Sequence, residues 1–177
     1  KRFDRSEGRR WHALSANVAL RAAGVELSYP NLAQLLRRRG DVDTHRAQMH
    51  ELFRRMVFNI LIDNTDDHEK NHVLLVSQAQ QYALAPAFDV LPMGQSLGYQ
   101  AMTVGTQGAE SSIENALSAA GQYWLTPQAA KAEVDRVVDV VNAWREYFLA
   151  AGVPAASVEE LAQHIDRPFL LRQRLGQ

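Results

Sequence analysis

An apolar stripe that runs straight into an acidic turn constrains this chain more than any other feature. Met49, Leu52, Phe53, Met56, Val57, Ile60 and Leu61 recur at helical spacing, which predicts a core helix over about Thr44 to Ile62. The stripe ends in Asp63-Asn64-Thr65-Asp66-Asp67, a cluster of turn and cap formers. Two short apolar runs follow, Val73 to Ser77 and Tyr82 to Ala85, and read as a β-hairpin around Gln78-Ala79-Gln80-Gln81. Neither Asn-Gly nor Asp-Gly marks that turn. Pro86 and Pro92 bracket Phe88-Asp89-Val90, where irregular backbone is expected. The polar loops therefore flank the hairpin, one before its first strand and one after its second.

Within those loops Asp66 stands five positions before Asn71, and Asp89 follows the hairpin. This is the order of parts in a kinase catalytic lobe. The first Asp accepts or orients the proton of the attacking hydroxyl, and the Asn and the later Asp hold Mg²⁺ against the ATP phosphates. Phosphoryl transfer is mostly positioning and charge neutralisation, so three oxygen-bearing side chains must converge from two loops. Asp67 is an alternative base, but it stands four positions from Asn71 rather than five.

The same run contains a decoy. His68-Glu69-Lys70-Asn71-His72 fits the H-E-x-x-H pattern of zinc metalloproteases. That pattern needs a helix, on which positions i and i+4 bring two imidazoles to one face. Here the segment follows turn formers and leads into Val73-Leu74-Leu75-Val76, so no zinc site is expected. A calcium loop starting at Asp63 also fails, because its sixth position is His68 rather than Gly and its twelfth is Leu74 rather than Glu.

Composition sets the class. The chain has 177 residues, 46% apolar and 22% charged, enough for one buried core and too few for two ordinary domains. A formal charge of −1 argues against broad electrostatic binding to nucleic acid or membrane. There is no Cys, hence neither disulfide framework nor thiolate chemistry. The opening Lys1-Arg2-Phe3-Asp4-Arg5 carries no signal-peptide stretch and no run approaches membrane-spanning length, so a cytoplasmic location is expected.

Helices dominate elsewhere. Ser15 is expected to cap a short helix ending near Gly24, and Asn31 to Arg39 a second one stopped by Gly40. Gly94 to Gly108 is weakly patterned. Thr126-Pro127 opens a helix expected to reach about Ala150, with Ala130, Val134, Val137, Val138, Val141, Trp144 and Phe148 on its buried stripe. Ser157-Val158-Glu159-Glu160 suggests a capping box for a last helical segment. Arg37-Arg38-Arg39 fall in a last helical turn, where the helix dipole favours cations, so direct DNA contact is not expected from them.

Phe3-Asp4-Arg5, then Thr65 to Asn71, then Ala85-Pro86-Ala87-Phe88-Asp89-Val90, and later Met102-Thr103-Val104-Gly105, together resemble the HipA family of serine/threonine kinases, toxins of toxin–antitoxin pairs. The resemblance covers the whole chain, but only the carboxyl-terminal part of a family member. It implies a mainly α (α+β) fold: residues 1–177 form one helical kinase C-lobe beginning near the interlobe hinge, with a small hairpin beside the catalytic loop. It also implies that Asp66 is the catalytic base and that Asn71 and Asp89 are Mg²⁺ ligands. Phe3 would present its backbone to the adenine of ATP, Asp4 and His68 would approach ribose or phosphates, and Phe88 would pack on the base. Bland readings stand beside these: His68 braces the loop by a hydrogen bond, Phe88 is a core aromatic, and Lys70 touches a phosphate or points to solvent.

One departure from the family pattern matters. The chain has three lysines, Lys1, Lys70 and Lys131, none on a strand like the one that pairs with the α- and β-phosphates, and no glycine-rich phosphate loop. The amino-terminal ATP-binding lobe is therefore expected to lie outside this chain, and the chain alone to be inactive. Family membership further implies a protein Ser/Thr substrate, in some members an aminoacyl-tRNA synthetase, and a DNA-binding antitoxin partner. Two other classes stay open: a small-molecule kinase lobe of the aminoglycoside or choline type, and a non-catalytic pseudokinase or scaffold fragment.

Overall fold

A computed structural model of the chain describes residues 3–6 and 8–176. The chain opens with a two-stranded antiparallel ribbon, β1 (Arg5–Ser6) and β2 (Arg9–Arg10). Next comes β3 (His12–Ser15), the edge of a three-stranded antiparallel sheet of order β3-β4-β5. The other two strands, β4 (Val73–Val76) and β5 (Tyr82–Leu84), are the expected hairpin, with Leu74 opposite Leu84 and Val76 opposite Tyr82. Its turn closes without Asn or Gly. Ser77 Oγ accepts the Gln81 N–H at 3.1 Å while Gln80 takes φ 60°. The third strand was not anticipated, because His12-Ala13-Leu14-Ser15 has a single large apolar residue and no readable alternation. The open edge of β4 supplies what the sequence lacks: its main-chain groups pair with β3 from His12↔Val76 to Ser15↔Val73.

Ser15 then caps α1 (Ala16–Ala22), as expected, its hydroxyl accepting the Val18 N–H. Ser28 caps α2 (Tyr29–Arg39) two residues ahead of the expected start, with Pro30 in the first turn. The long helix α3 (His45–Leu61) buries all seven stripe residues and also Asn59. α2 and α3 pack together, and Phe53 meets Tyr123 edge to face at 5.2 Å. Truncating Phe53 to Ala would therefore cost about 3–5 kcal/mol.

The C-terminal half is α4 (Ile113–Ser118), a 3₁₀ turn Ala120–Tyr123, α5 (Pro127–Asn142), α6 (Trp144–Ala150), α7 (Ala155–Ile165) and α8 (Pro168–Leu175). Two expectations need correction. The helix opening at Thr126-Pro127 breaks at Ala143 (φ −89°, ψ 9°) instead of reaching Ala150. The break lets Trp144 bury its ring and donate Nε1–H to Asp166 at 3.1 Å. Ser157 does not cap the following helix, which starts two residues earlier behind Pro154, whose fixed φ of −58° leads directly into it. α8 was not foreseen either, since Pro-Phe-Leu-Leu-Arg-Gln-Arg-Leu carries no clear helical stripe. The architecture is the α+β one expected, helices around a three-stranded sheet. No helix among the described residues is long and apolar enough to cross a membrane.

Candidate active site

The turn after α3 is built around a buried carboxylate. Asp63 leaves the helix with φ 58°, a left-handed conformation that Asp tolerates better than most residues. Asn64 folds back onto Asn59, N–H to C=O at 2.9 Å and Nδ2 to Oδ1 at 3.0 Å. Asn59 Nδ2 donates to Asp67 Oδ2 at 2.7 Å, His72 Nε2 faces the same oxygen at 2.9 Å, and the Tyr29 hydroxyl donates to it as well. Three partners from α2, α3 and the start of β4 thus converge on one carboxylate oxygen. Burial first, then the neighbouring Asp67, push the Tyr29 phenol well above its ordinary pKa, so it stays a hydrogen-bond donor. From α1, Asn17 holds Glu69 (Nδ2 to Oε1, 2.5 Å), and the Asn17 N–H reaches the Glu69 carbonyl at 3.2 Å.

This network separates two adjacent aspartates. Asp67 is 3% exposed and occupied by its partners, while Asp66 is exposed and its carboxylate carries no hydrogen bond or ion pair among the described residues. The Asp66 carbonyl accepts the His68 N–H at 2.9 Å and Asn71 Nδ2 at 3.4 Å. Asn71 is buried, and its Oδ1 has no donor among the described residues. Residues 68–72 are turn and bend rather than helix, and His72 is committed to Asp67. Among the described residues the His68 ring makes no hydrogen bond, and its Nδ1 is buried. Lys70 is exposed.

The loop after β5 is of a different kind. From Pro86 to Pro92 it has no regular structure and makes no hydrogen bond among the described residues. Asp89 sits there at φ 57°, exposed and without a partner among the described residues. Phe88 stacks on Phe3 with ring centroids 6.0 Å apart and planes 26° apart, joining two expected site residues 85 positions apart in the chain. The Phe3 main chain makes no hydrogen bond among the described residues. Asp4 is half-buried, and its carbonyl accepts the Trp11 N–H at 2.8 Å. Asn71 and Phe88 line one cavity of about 360 Å³, closed by Phe58 of α3 and by Val137 and Val140 of α5, so the two loops border each other.

The donor set suits a hard cation. Asp66, Asp89 and the Asn71 amide offer oxygen only, which Mg²⁺ prefers, and a few protein ligands leave positions for water and phosphate oxygens. No group of three or more His, Cys, Asp or Glu able to hold a metal exists among the described residues. Sequence reasoning missed Tyr29 and Asn59 as supports of the turn. Asn59 had a signal, a polar residue set between Phe58 and Ile60 in an apolar helix; Tyr29, 38 positions from Asp67, had none.

Comparison with known proteins agrees with this fold. The sequence profile of the HipA-like C-terminal domain matches residues 1–144. Y4dM of Sinorhizobium fredii, named only as a candidate kinase, is 32% identical over 111 residues, which cover 62% of this chain and 26% of that protein. A chain of the Shewanella oneidensis MR-1 toxin–antitoxin complex of HipA, HipB and operator DNA superposes with a TM-score of 0.73 at 16% identity, over 99% of this chain and 48% of that one. At that identity the likeness speaks for the fold. The chain spans about a quarter of the first relative and about half of the second. With the profile covering most of its length, the chain belongs to the HipA-like C-terminal domain family.

Proposed function

We propose that this chain is the catalytic half of an ATP- and Mg²⁺-dependent kinase that phosphorylates a protein Ser or Thr. The observation that carries the reading is the split between the neighbouring aspartates. Asp67 is buried as the hub of the turn, and Asp66 beside Asn71 is exposed, its carboxylate without a partner among the described residues. A base must reach solvent and substrate; a hub must not.

In this reading Asp66 orients the acceptor hydroxyl and takes its proton. Asn71 Oδ1 and the Asp89 carboxylate hold Mg²⁺, which supplies neutralisation of the phosphate charge. The partly exposed Phe88, stacked on Phe3, offers a face to adenine, and the Phe3 main chain, without a hydrogen bond among the described residues, offers its polar edge. His68 and Asp4 are assigned to the ribose or phosphates, and Lys70 to a phosphate. The phosphate-covering loop and its lysine come from outside residues 1–177. Of the described lysines, Lys70 lies on the turn and Lys131 on α5, paired with Asp135. A DNA-binding antitoxin of the HipB kind is the expected partner.

The test is phosphate transfer from labelled ATP in a protein carrying both lobes. Asp66→Asn should lower turnover about 10²–10⁴-fold, with Asp89→Asn similarly inactive, and the 177-residue chain alone should be silent. Wild-type transfer by Asp66→Asn, or Asp66-dependent transfer by the isolated chain, overturns the reading.

A further inference from the structure

The Asp89 loop raises a problem of position. A metal ligand is useful only where its oxygen sits, and nothing between Pro86 and Pro92 holds the backbone among the described residues. The loop is fixed at its ends. Upstream, the Ala85 N–H donates to Val73 at 2.8 Å, and Arg55 Nη1 donates to the Ala85 carbonyl at 2.9 Å. Downstream, everything converges on Asp63. Its carbonyl accepts the Met93 N–H at 3.2 Å, and its Oδ2 accepts the Ser96 N–H at 2.9 Å. Asp63 is 2% exposed, holds a left-handed φ, and stands three positions before Asp66. From the other side, Arg167 donates to Ser96 Oγ. The His164 imidazole lies so close to Gly94 that a Cβ there would come within 2.1 Å of Nδ1.

We infer that Asp63 is a positioning residue, not a metal ligand: one side chain ties the catalytic turn to the metal loop and thereby sets Asp89 against Asn71. Its carboxylate is already engaged by the Ser96 amide, and its left-handed backbone aims it away from the helix toward that loop. The α7–α8 corner, through His164 and Arg167, backs Gly94 and Ser96 of this downstream anchor. The inference rests on the proposed role of Asp89, and it predicts that removing an acceptor distant in sequence from Asp89 weakens the metal.

The experiment measures Mn²⁺ binding to the 177-residue chain by electron paramagnetic resonance, with amide hydrogen exchange at Met93 and Ser96 read in parallel. Asp63→Ala should speed Ser96 exchange and raise the Mn²⁺ dissociation constant about tenfold. Asp63→Asn keeps an acceptor oxygen and should stay within about twofold of the parent. Gly94→Ala, which displaces the loop from the His164 side without touching Asp63, should weaken Mn²⁺ as well, and it decides the matter if Asp63→Ala fails to fold. Folded Asp63→Ala or Gly94→Ala with parental Mn²⁺ affinity overturns the positioning role alone, as do equal losses in Asp63→Ala and Asp63→Asn. Absence of Mn²⁺ binding to the parent chain, or binding indifferent to Asp89→Asn, overturns the metal reading and this inference with it.

Discussion

Two loops carry the proposed chemistry, and they are made in opposite ways. The turn from Asp63 to His72 is mostly buried and cross-linked to α1, α2 and α3 through Asn17, Tyr29 and Asn59. The segment from Pro86 to Pro92 is largely exposed and hangs between anchors at Ala85 and Asp63. The difference teaches where precision comes from. The proposed base and amide ligand stand on a turn whose hub, Asp67, is engaged from three sides, and such buried hydrogen bonds restrict the geometry because breaking one is costly. The proposed second ligand, Asp89, sits on a segment whose observed hydrogen bonds lie at its ends, so its position is expected to respond to distant contacts.

The largest effect expected from breaking this contrast lies in the turn. Asp67→Ala leaves the Tyr29 hydroxyl, Asn59 amide and His72 imidazole without their common acceptor, and should cost about 3–5 kcal/mol in urea unfolding. Stability within about 0.5 kcal/mol of the parent would show that the hub is not one. Phe88→Ala is the matching cut in the loop. Phe88 is 38% exposed and stacks on Phe3, so the same measurement should register less than about 1.5 kcal/mol. A loss as large as that of Asp67→Ala would erase the contrast.

The smallest effect is an acid-dependent loosening of the upstream anchor. Burial pushes the Glu51 carboxyl up, but its hydrogen bonds to Arg55 and Arg54 outweigh this and hold it below the ordinary Glu value. A carboxyl depressed in the folded state contributes stability above its ordinary value, and loses that contribution as pH falls through the folded one. Arg55, which also holds Ala85, then loses its orienting partner. On acidification below the ordinary Glu range, amide signals of residues 87–91 should broaden before those of the turn. Simultaneous loss in both loops would count against separate anchoring.

Much of this was legible locally. The α3 stripe, the Ser15 cap, the hairpin and the irregular Phe88-Asp89 segment follow from periodicity, cap chemistry and proline, which act over a few residues. The run through Ala143 was misread for the same reason: its stripe continues past the break, and the contact that goes with the break, Trp144 to Asp166, spans 22 positions.

By itself, the sequence determined the family, the order of helix, turn, hairpin and loop, and the short list of oxygen donors, because those are carried by residue type and spacing. The tertiary structure decided which of these donors face solvent and which are buried and held. Asp66 and Asp67 are the same residue type at adjacent positions; their spacing to Asn71 ranks them as expected bases, but only the fold makes one carboxylate solvent-facing and the other a buried hub. Tyr29 lies 38 positions from Asp67, Ser96 lies 33 from Asp63, and the edge of β4 recruits a strand with almost no pattern of its own. Burial and hydrogen-bond satisfaction are properties of what surrounds a group in space, so they come into being only when distant segments meet.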